Sequence, residues 1–171
     1  MNNQEKNNYV KAQLLHALMK EMNETPLEKI SVSALVQSAQ VGRASFYRNY
    51  TDIKDILLQE ADRLTKAWGK EFDETPHKEP NELLITLLDF YKQHQDFFLA
   101  VYAAGQDQII LDTILKQINI SPETPNALAY VQSSFAYMLY GWIHEWMKRG
   151  MQESGTELAQ MFTEAQKKPG V

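Results

Sequence analysis

The chain has 171 residues, 44% of them hydrophobic and 23% charged, enough for one domain with a full core or a small module joined to a larger one. It has no cysteine, which excludes a disulfide framework, thiolate zinc sites and thiol catalysis. The net charge of −5 is uneven: residues 1–57 carry +1 and residues 58–171 carry −6, so a near-neutral N-terminal segment that can still meet phosphates precedes an acidic body. The opening MNNQEKNNYV lacks the apolar stretch of a secretory signal, and the longest apolar run, Phe97 to Ala104, is far shorter than the roughly 18 residues of a membrane span. A soluble, cytoplasmic protein is expected.

Apolar residues recur at spacings of three and four, and no stretch alternates for long, which predicts an all-α fold of about nine helices. The first helix carries Val10, Leu14, Ala17, Leu18 and Met22 on one stripe and ends before Asn23-Glu24-Thr25-Pro26. Two short helices are expected over Ser33 to Ala39 and Arg43 to Asn49. Asp52 is placed to cap a long helix with Ile53, Ile56, Leu57, Ala61, Leu64, Trp68 and Phe72 on its stripe, stopping near Thr75-Pro76. Pro80 and Asn81 open the next, with Leu84, Leu87, Leu88 and Tyr91 on one face. A short apolar helix spans about Asp96 to Ala103, and another, with Leu111, Ile114, Leu115 and Ile118, closes at Ser121-Pro122. From about Pro125 a long helix shows Leu128, Val131, Phe135, Met138, Trp142 and Trp146 and ends at Lys148-Arg149-Gly150. The last carries Leu158, Met161, Phe162 and Ala165, and Lys167 to Val171 should fray.

The stretch from Ile30 to Leu57 is the informative one. Leu35, Val36, Ala39, Val41 and Phe46 are spaced so that the two short helices bury against each other, and the Val10/Leu14/Leu18 stripe must complete a three-helix core. The second short helix then turns Arg43, Ala44, Ser45, Tyr47 and Arg48 outward, as a recognition helix does. Arg43 and Arg48 suit phosphates or a guanine edge, and Ala44 and Ser45 are small enough for close approach to bases. Tyr47 offers a phenol to a phosphate oxygen. Ser31 and Ser33 stand where free N–H groups at a helix start attract anions. Lys54, in the first turn of the long helix, opposes that helix's dipole, and a nearby phosphate would account for it.

This segment resembles the helix-turn-helix of the TetR family through Ser31-Val32, Leu35-Val36, Ala39, Val41, Ala44-Ser45, Phe46-Tyr47 and Tyr50, placed after one N-terminal helix. The resemblance covers roughly residues 8–60; beyond it rests on helix layout, with Tyr140 to Phe162 similar to the closing helices of some members. Gln40 stands where the family favours glycine, Gly42 replaces the usual serine cap, Asn49 a common histidine and Ile53 a common lysine. A left-handed Gln40 would cost on the order of 1 kcal/mol. The resemblance implies a helix-turn-helix DNA-binding domain over residues 1–51, continuing into the helix from about residue 52, and a helical ligand-sensing and dimerisation domain over 52–171.

Eleven of the eighteen aromatic residues fall between Phe90 and Trp146. Core and dimer interface account for most of them; a ligand cavity, as the resemblance implies, would be lined by some of Phe90, Tyr91, Phe98, Tyr102, Phe135 and Trp142. The long penultimate helix is apolar over most of its circumference, so Tyr130, Met138, Leu139, Ile143, Trp146, Leu158 and Phe162 are candidates for a twofold interface, with Gly141 permitting close approach. His16, His77, His94 and His144 have no histidine partner at helical metal-ligand spacing, and no nucleophile elbow, phosphate loop or paired-carboxylate motif is visible. Neither metal, cofactor nor catalysis is expected. The reading is a homodimeric regulator, a repressor on a palindromic operator of double-stranded DNA, released by a small-molecule effector. The alternative is a co-regulator that has lost useful DNA affinity and acts through a protein partner.

Overall fold

A reciprocal cap opens the first helix, α1 (Asn3–Met22): Asn2 Oδ1 accepts the Glu5 amide at 2.8 Å, while Glu5 Oε2 accepts the Asn2 amide at 2.9 Å. In this computed structural model, which describes residues 2–76 and 82–167, the chain forms two compact units, Met1–Asp62 and Arg63–Val171.

In the first unit, α1 is followed by a single 3-10 turn (Leu27–Lys29), then α2 (Val32–Ser38), α3 (Arg43–Asn49) and the start of α4 (Ile53–Glu74). α1, α2 and α3 pack on one another. Leu14, Leu18, Leu35, Phe46 and Leu57 have no exposed surface. These are residues of the stripes read from the sequence, and each fully buried side chain stabilises the unit by about 1.5–3 kcal/mol. Ser31 caps α2 by accepting the Ala34 amide at 3.1 Å. Gln40, in the turn, has φ of 53°, the left-handed conformation that glycine adopts without strain. Gly42 caps α3 with extended backbone and no side-chain bond. Asp52 Oδ1 accepts the Asp55 amide at 2.9 Å at the start of α4, as its position suggested.

The second unit contains the rest of α4, then α5 (Glu82–Gln93), α6 (Gln95–Ala103), α7 (Gln108–Ile118), α8 (Asn126–Lys148) and α9 (Gly155–Lys167). α5 pairs with α9, α8 packs on α6 and α7, and α5 meets α6. The α5–α9 approach is close enough to require glycine: a Cβ on Gly155 would lie 2.3 Å from the Asp89 nitrogen and 2.6 Å from the Leu88 carbonyl carbon. Among the described residues the fold is all-α, with nine α-helices and no strand. The expected helix opening at Pro80 and Asn81 lies outside the described residues, as do Lys168 to Val171.

No helix among the described residues is long and apolar enough to cross a membrane.

Candidate nucleic-acid interface

α3 divides cleanly into an inner and an outer face. Phe46 is fully buried and, with the buried Tyr50 ring 5.9 Å away, anchors the helix inward. A helical turn of 3.6 residues then sends Arg43, Ala44, Tyr47 and Arg48 outward, and all four are exposed. Ser45 is half-buried at the edge of that face. No carboxylate occurs between Glu28 and Asp52, whereas Lys29, Arg43 and Arg48 all lie there. In a chain of net charge −5, this is a local cationic surface.

Arg43 joins the two short helices. Its Nη1 donates to Ser33 Oγ on α2 at 3.4 Å and its Nη2 to Tyr47 OH at 3.5 Å, with the guanidinium carbon 5.7 Å from the Tyr47 ring centre. The bonds are long and exposed, so they hold the guanidinium over the surface without using all five of its donors. Ser31, already accepting its capping bond, keeps its hydroxyl hydrogen for an outside acceptor. Lys54 is exposed in the first turn of α4. Ser33, Arg43 and Tyr47 are thus brought into direct contact, Ala44, Ser45 and Arg48 lie on the same short helix, and Ser31 and Lys54 stand at the starts of α2 and α4.

A polar clasp behind α3 sets its position. Gln59 Nε2 donates to the Asn49 carbonyl at 2.9 Å and to Asp55 Oδ2 at 3.1 Å, and Gln59 Oε1 accepts from Lys11 Nζ at 3.0 Å. One amide therefore ties α1, the C-terminal end of α3 and α4 together with both donor hydrogens used. Lys11 Nζ also lies 5.6 Å from the centre of the Tyr50 ring. Burial first, then the Glu60 and Asp55 carboxylates, push the Tyr50 phenol up to about 12, so it stays neutral beneath the helix. Sequence reasoning missed Gln59 and Lys11. They are 48 residues apart, and no local spacing marks them as partners.

The second unit distributes its aromatic residues differently from a single lining. Tyr91 and Phe98 are buried against each other with ring centres 4.3 Å apart. Phe90 borders a cleft of about 230 Å³ with Trp68, Phe72, Thr86 and Asp89. Trp142 packs edge-on against Phe162 and borders a different cleft, of about 550 Å³, with Tyr137, Met138, Gly141 and Met161. Tyr102 is half-buried, its ring 5.3 Å from His144, and Phe135 is exposed. Of the residues considered for a twofold interface, Tyr130 is 71% exposed and Met138 38%. Leu139, Ile143, Trp146, Leu158 and Phe162 are buried within the protomer. The apolar residues that α8 and α9 do present outward are Leu128, Tyr130, Val131, Phe135, Tyr137, Met138 and Met161. A Cβ on Gly141 would meet nothing within 4 Å, so close approach there is not used inside the protomer.

One polar cluster interrupts this packing. Asp107 Oδ2 accepts from Tyr140 OH at 2.5 Å and lies 2.7 Å from His144 Nδ1. Burial works to raise the Asp107 carboxyl, but the bonds from Tyr140 and His144 outweigh it and hold the carboxyl below its usual value. Among the described residues, no group of three or more His, Asp or Glu could hold a metal ion.

Comparison with known proteins agrees with this layout. Residues 78–168 match the TetR-type family model described as "Transcriptional regulator C-terminal region". No curated protein matches the chain. Among solved structures, Lin0861 from Listeria innocua aligns over 98% of this chain and 94% of its own, with a TM-score of 0.78 and 19% identity. The fatty acid degradation regulator FadR from Bacillus halodurans aligns over 91% of this chain and 93% of its own, with a TM-score of 0.58 and 13% identity. At such identities the likeness is one of fold, while the family match spans more than half of the chain. The chain belongs to the TetR family of transcriptional regulators, proteins that act on DNA and not as enzymes.

Proposed function

We propose that the protein is a homodimeric repressor that occupies a roughly palindromic operator through α3 of each protomer and is released by a small-molecule effector. The observation that carries the DNA reading is the acid-free outer face of α3, where Arg43, linked to Ser33 and Tyr47, stands beside Ala44, Ser45 and Arg48. Arg43 supplies a fork for a guanine edge or a phosphate, Ala44 and Ser45 admit the bases, and Tyr47, Arg48, Ser31 and Lys54 take phosphate oxygens. A twofold dimer must bring two such helices about 34–36 Å apart to enter successive major grooves.

Dimerisation is supported by the apolar residues that α8 and α9 leave outward, with Tyr130 and Val131 the most exposed at 71% and 66%. An effector acts by favouring one spacing of the recognition helices over another, and it weakens operator binding by that difference in affinity. The cleft beside Phe90, Trp68 and Phe72 is our site for it, because it lies apart from the outward face of α8 and α9.

The test is binding of the purified protein to DNA upstream of its own gene and neighbouring genes, at two salt concentrations, with Arg43→Ala and Tyr47→Phe in parallel. Specific binding that weakens with salt and falls in Arg43→Ala supports the reading. No specific binding at low salt overturns it in favour of a co-regulator acting through a protein partner. A broad panel of small molecules, none of which changes both thermal stability and DNA affinity, would sink the effector.

A further inference from the structure

The outer face of α3 has two flanks, and Arg43 and Tyr47 occupy only one. Arg43 and Tyr47 lie one turn apart on the flank that meets α2, where Arg43 reaches Ser33. Ser45, Arg48 and Asn49 point to the opposite flank, since 100° per residue places them away from Arg43. There they form one wall of a groove of about 570 Å³, and its other wall is the first two turns of α1.

The α1 wall is a single stripe: Lys6 and Asn7 follow Asn3 at three and four residues, as neighbours on one helix face must. None of the residues lining the groove is acidic, and Lys6 and Arg48 bring a cation from each wall. The carboxylate nearest in sequence, Glu5, is engaged in the cap, its two oxygens accepting from the Asn2 amide at 2.9 Å and Asn2 Nδ2 at 3.2 Å. Asn49 is fixed in place by donating to the Ser45 carbonyl at 2.9 Å. Two cations, amide donors and a serine hydroxyl around an open trough suit a chain of phosphodiesters better than they suit an apolar ligand.

We infer that this groove seats the second DNA strand: while the α2 flank holds the phosphates on one side of the major groove, Lys6, Asn7 and Arg48 hold those on the other. α1 is then a direct DNA-contacting element as well as part of the core beneath α3. The inference rests on the proposal that α3 is the recognition helix, and it assigns the strand opposite α2 to Arg48 together with residues of α1, outside the helix-turn-helix. Base reading stays with α3. Lys6 adds affinity that is independent of sequence.

The experiment uses the full chain and a duplex that the native protein selects from a random-sequence pool, with an unrelated duplex of equal length beside it. Lys6→Ala, Asn7→Ala, Lys6→Arg and Arg43→Ala are compared across a range of salt, and ethylation interference maps the phosphates each protein needs. Circular dichroism checks that the variants fold, which exposed Lys6 should not disturb. The expected result is that Lys6→Ala binds both duplexes several-fold more weakly, with a salt slope shallower by about 1. Lys6→Arg should restore the slope, and ethylation of phosphates on the α1 side should block the native protein but not Lys6→Ala. Unchanged affinity and slope in Lys6→Ala and Asn7→Ala, with Arg43→Ala impaired, would overturn the α1 contact and leave the recognition helix standing. If the native protein selects no duplex at all, the recognition-helix reading and the α1 contact fall together.

Discussion

The two units turn different surfaces outward. Met1–Asp62 is small and stitched by side-chain hydrogen bonds that cross between helices: Lys11 to Gln59, Gln59 to the Asn49 carbonyl, Arg43 to Ser33. Arg63–Val171 also has side-chain bonds between elements, Asp107 with Tyr140 and His144 and Trp68 with Thr86, but beside aromatic packing such as Tyr91 on Phe98 and Trp142 on Phe162 it leaves a broad apolar face outward. A surface that reads phosphates and base edges must hold polar groups at fixed positions, and directional bonds do that where a core of this size alone cannot. A surface that meets another copy of itself needs area and shape, which non-directional packing supplies.

The sharpest way to break the contrast is at its apolar root in the first unit. Phe46→Ala removes the fully buried ring on which α3 is seated and should cost about 3–5 kcal/mol in urea denaturation, with DNA binding lost. A loss below about 1 kcal/mol would mean that the polar stitching carries the unit without that core. In the second unit the matching test is Gly155→Ala. Its Cβ would collide with the backbone at Leu88 and Asp89, so α9 must move off α5 at a cost of about 1–3 kcal/mol by thermal denaturation.

Val131→Asp tests the outward apolar face. Val131 is 66% exposed in the protomer, so its stability should be unchanged while the dimer dissociation constant rises at least tenfold, about 1.4 kcal/mol, by sedimentation. Gln59→Leu keeps the side chain's bulk and removes all three of its bonds, which should lower stability by about 1 kcal/mol and weaken DNA binding by more than that. Equal effects on stability and DNA affinity would reduce Gln59 to a merely structural role. The smallest effect runs the other way: Gln40→Gly relieves the left-handed glutamine, offset in part by the freer unfolded chain, and should gain about 0.5 kcal/mol, a rise of about 1–2 °C in Tm.

Much of the fold was legible in the chain because it depends on local rules. The stripe Leu14, Ala17 and Leu18 and the inward Phe46 follow from a period of 3.6, and the starts of α2 and α4 follow from Ser31 and Asp52 as caps. The same periodicity turns Arg43, Ala44, Tyr47 and Arg48 outward, while Ser45, expected with them, is half-buried at the edge of that face. The strain at Gln40 was signalled only by the family resemblance, which favours glycine at that position, and Gln40 does adopt a positive φ of 53°.

What the chain did not reveal is which side of an apolar helix is used for what. α8 is apolar nearly all round, so Leu139, Ile143 and Trp146 looked as suited to an interface as Tyr130 and Met138. Only the packing of α8 on α6 and α7 turned the first set inward and left the second outside. The same holds for Lys11, whose partner Gln59 on α4 is 48 residues away, and for Lys6 on α1, which shares a groove with Arg48 of α3. Helical period, caps and the sign of charge are properties of neighbours along the chain, and the sequence determined them. The choice between two apolar faces, and the meeting of α1 with α3, depend on how helices pack across tens of residues, and the tertiary structure alone decided them.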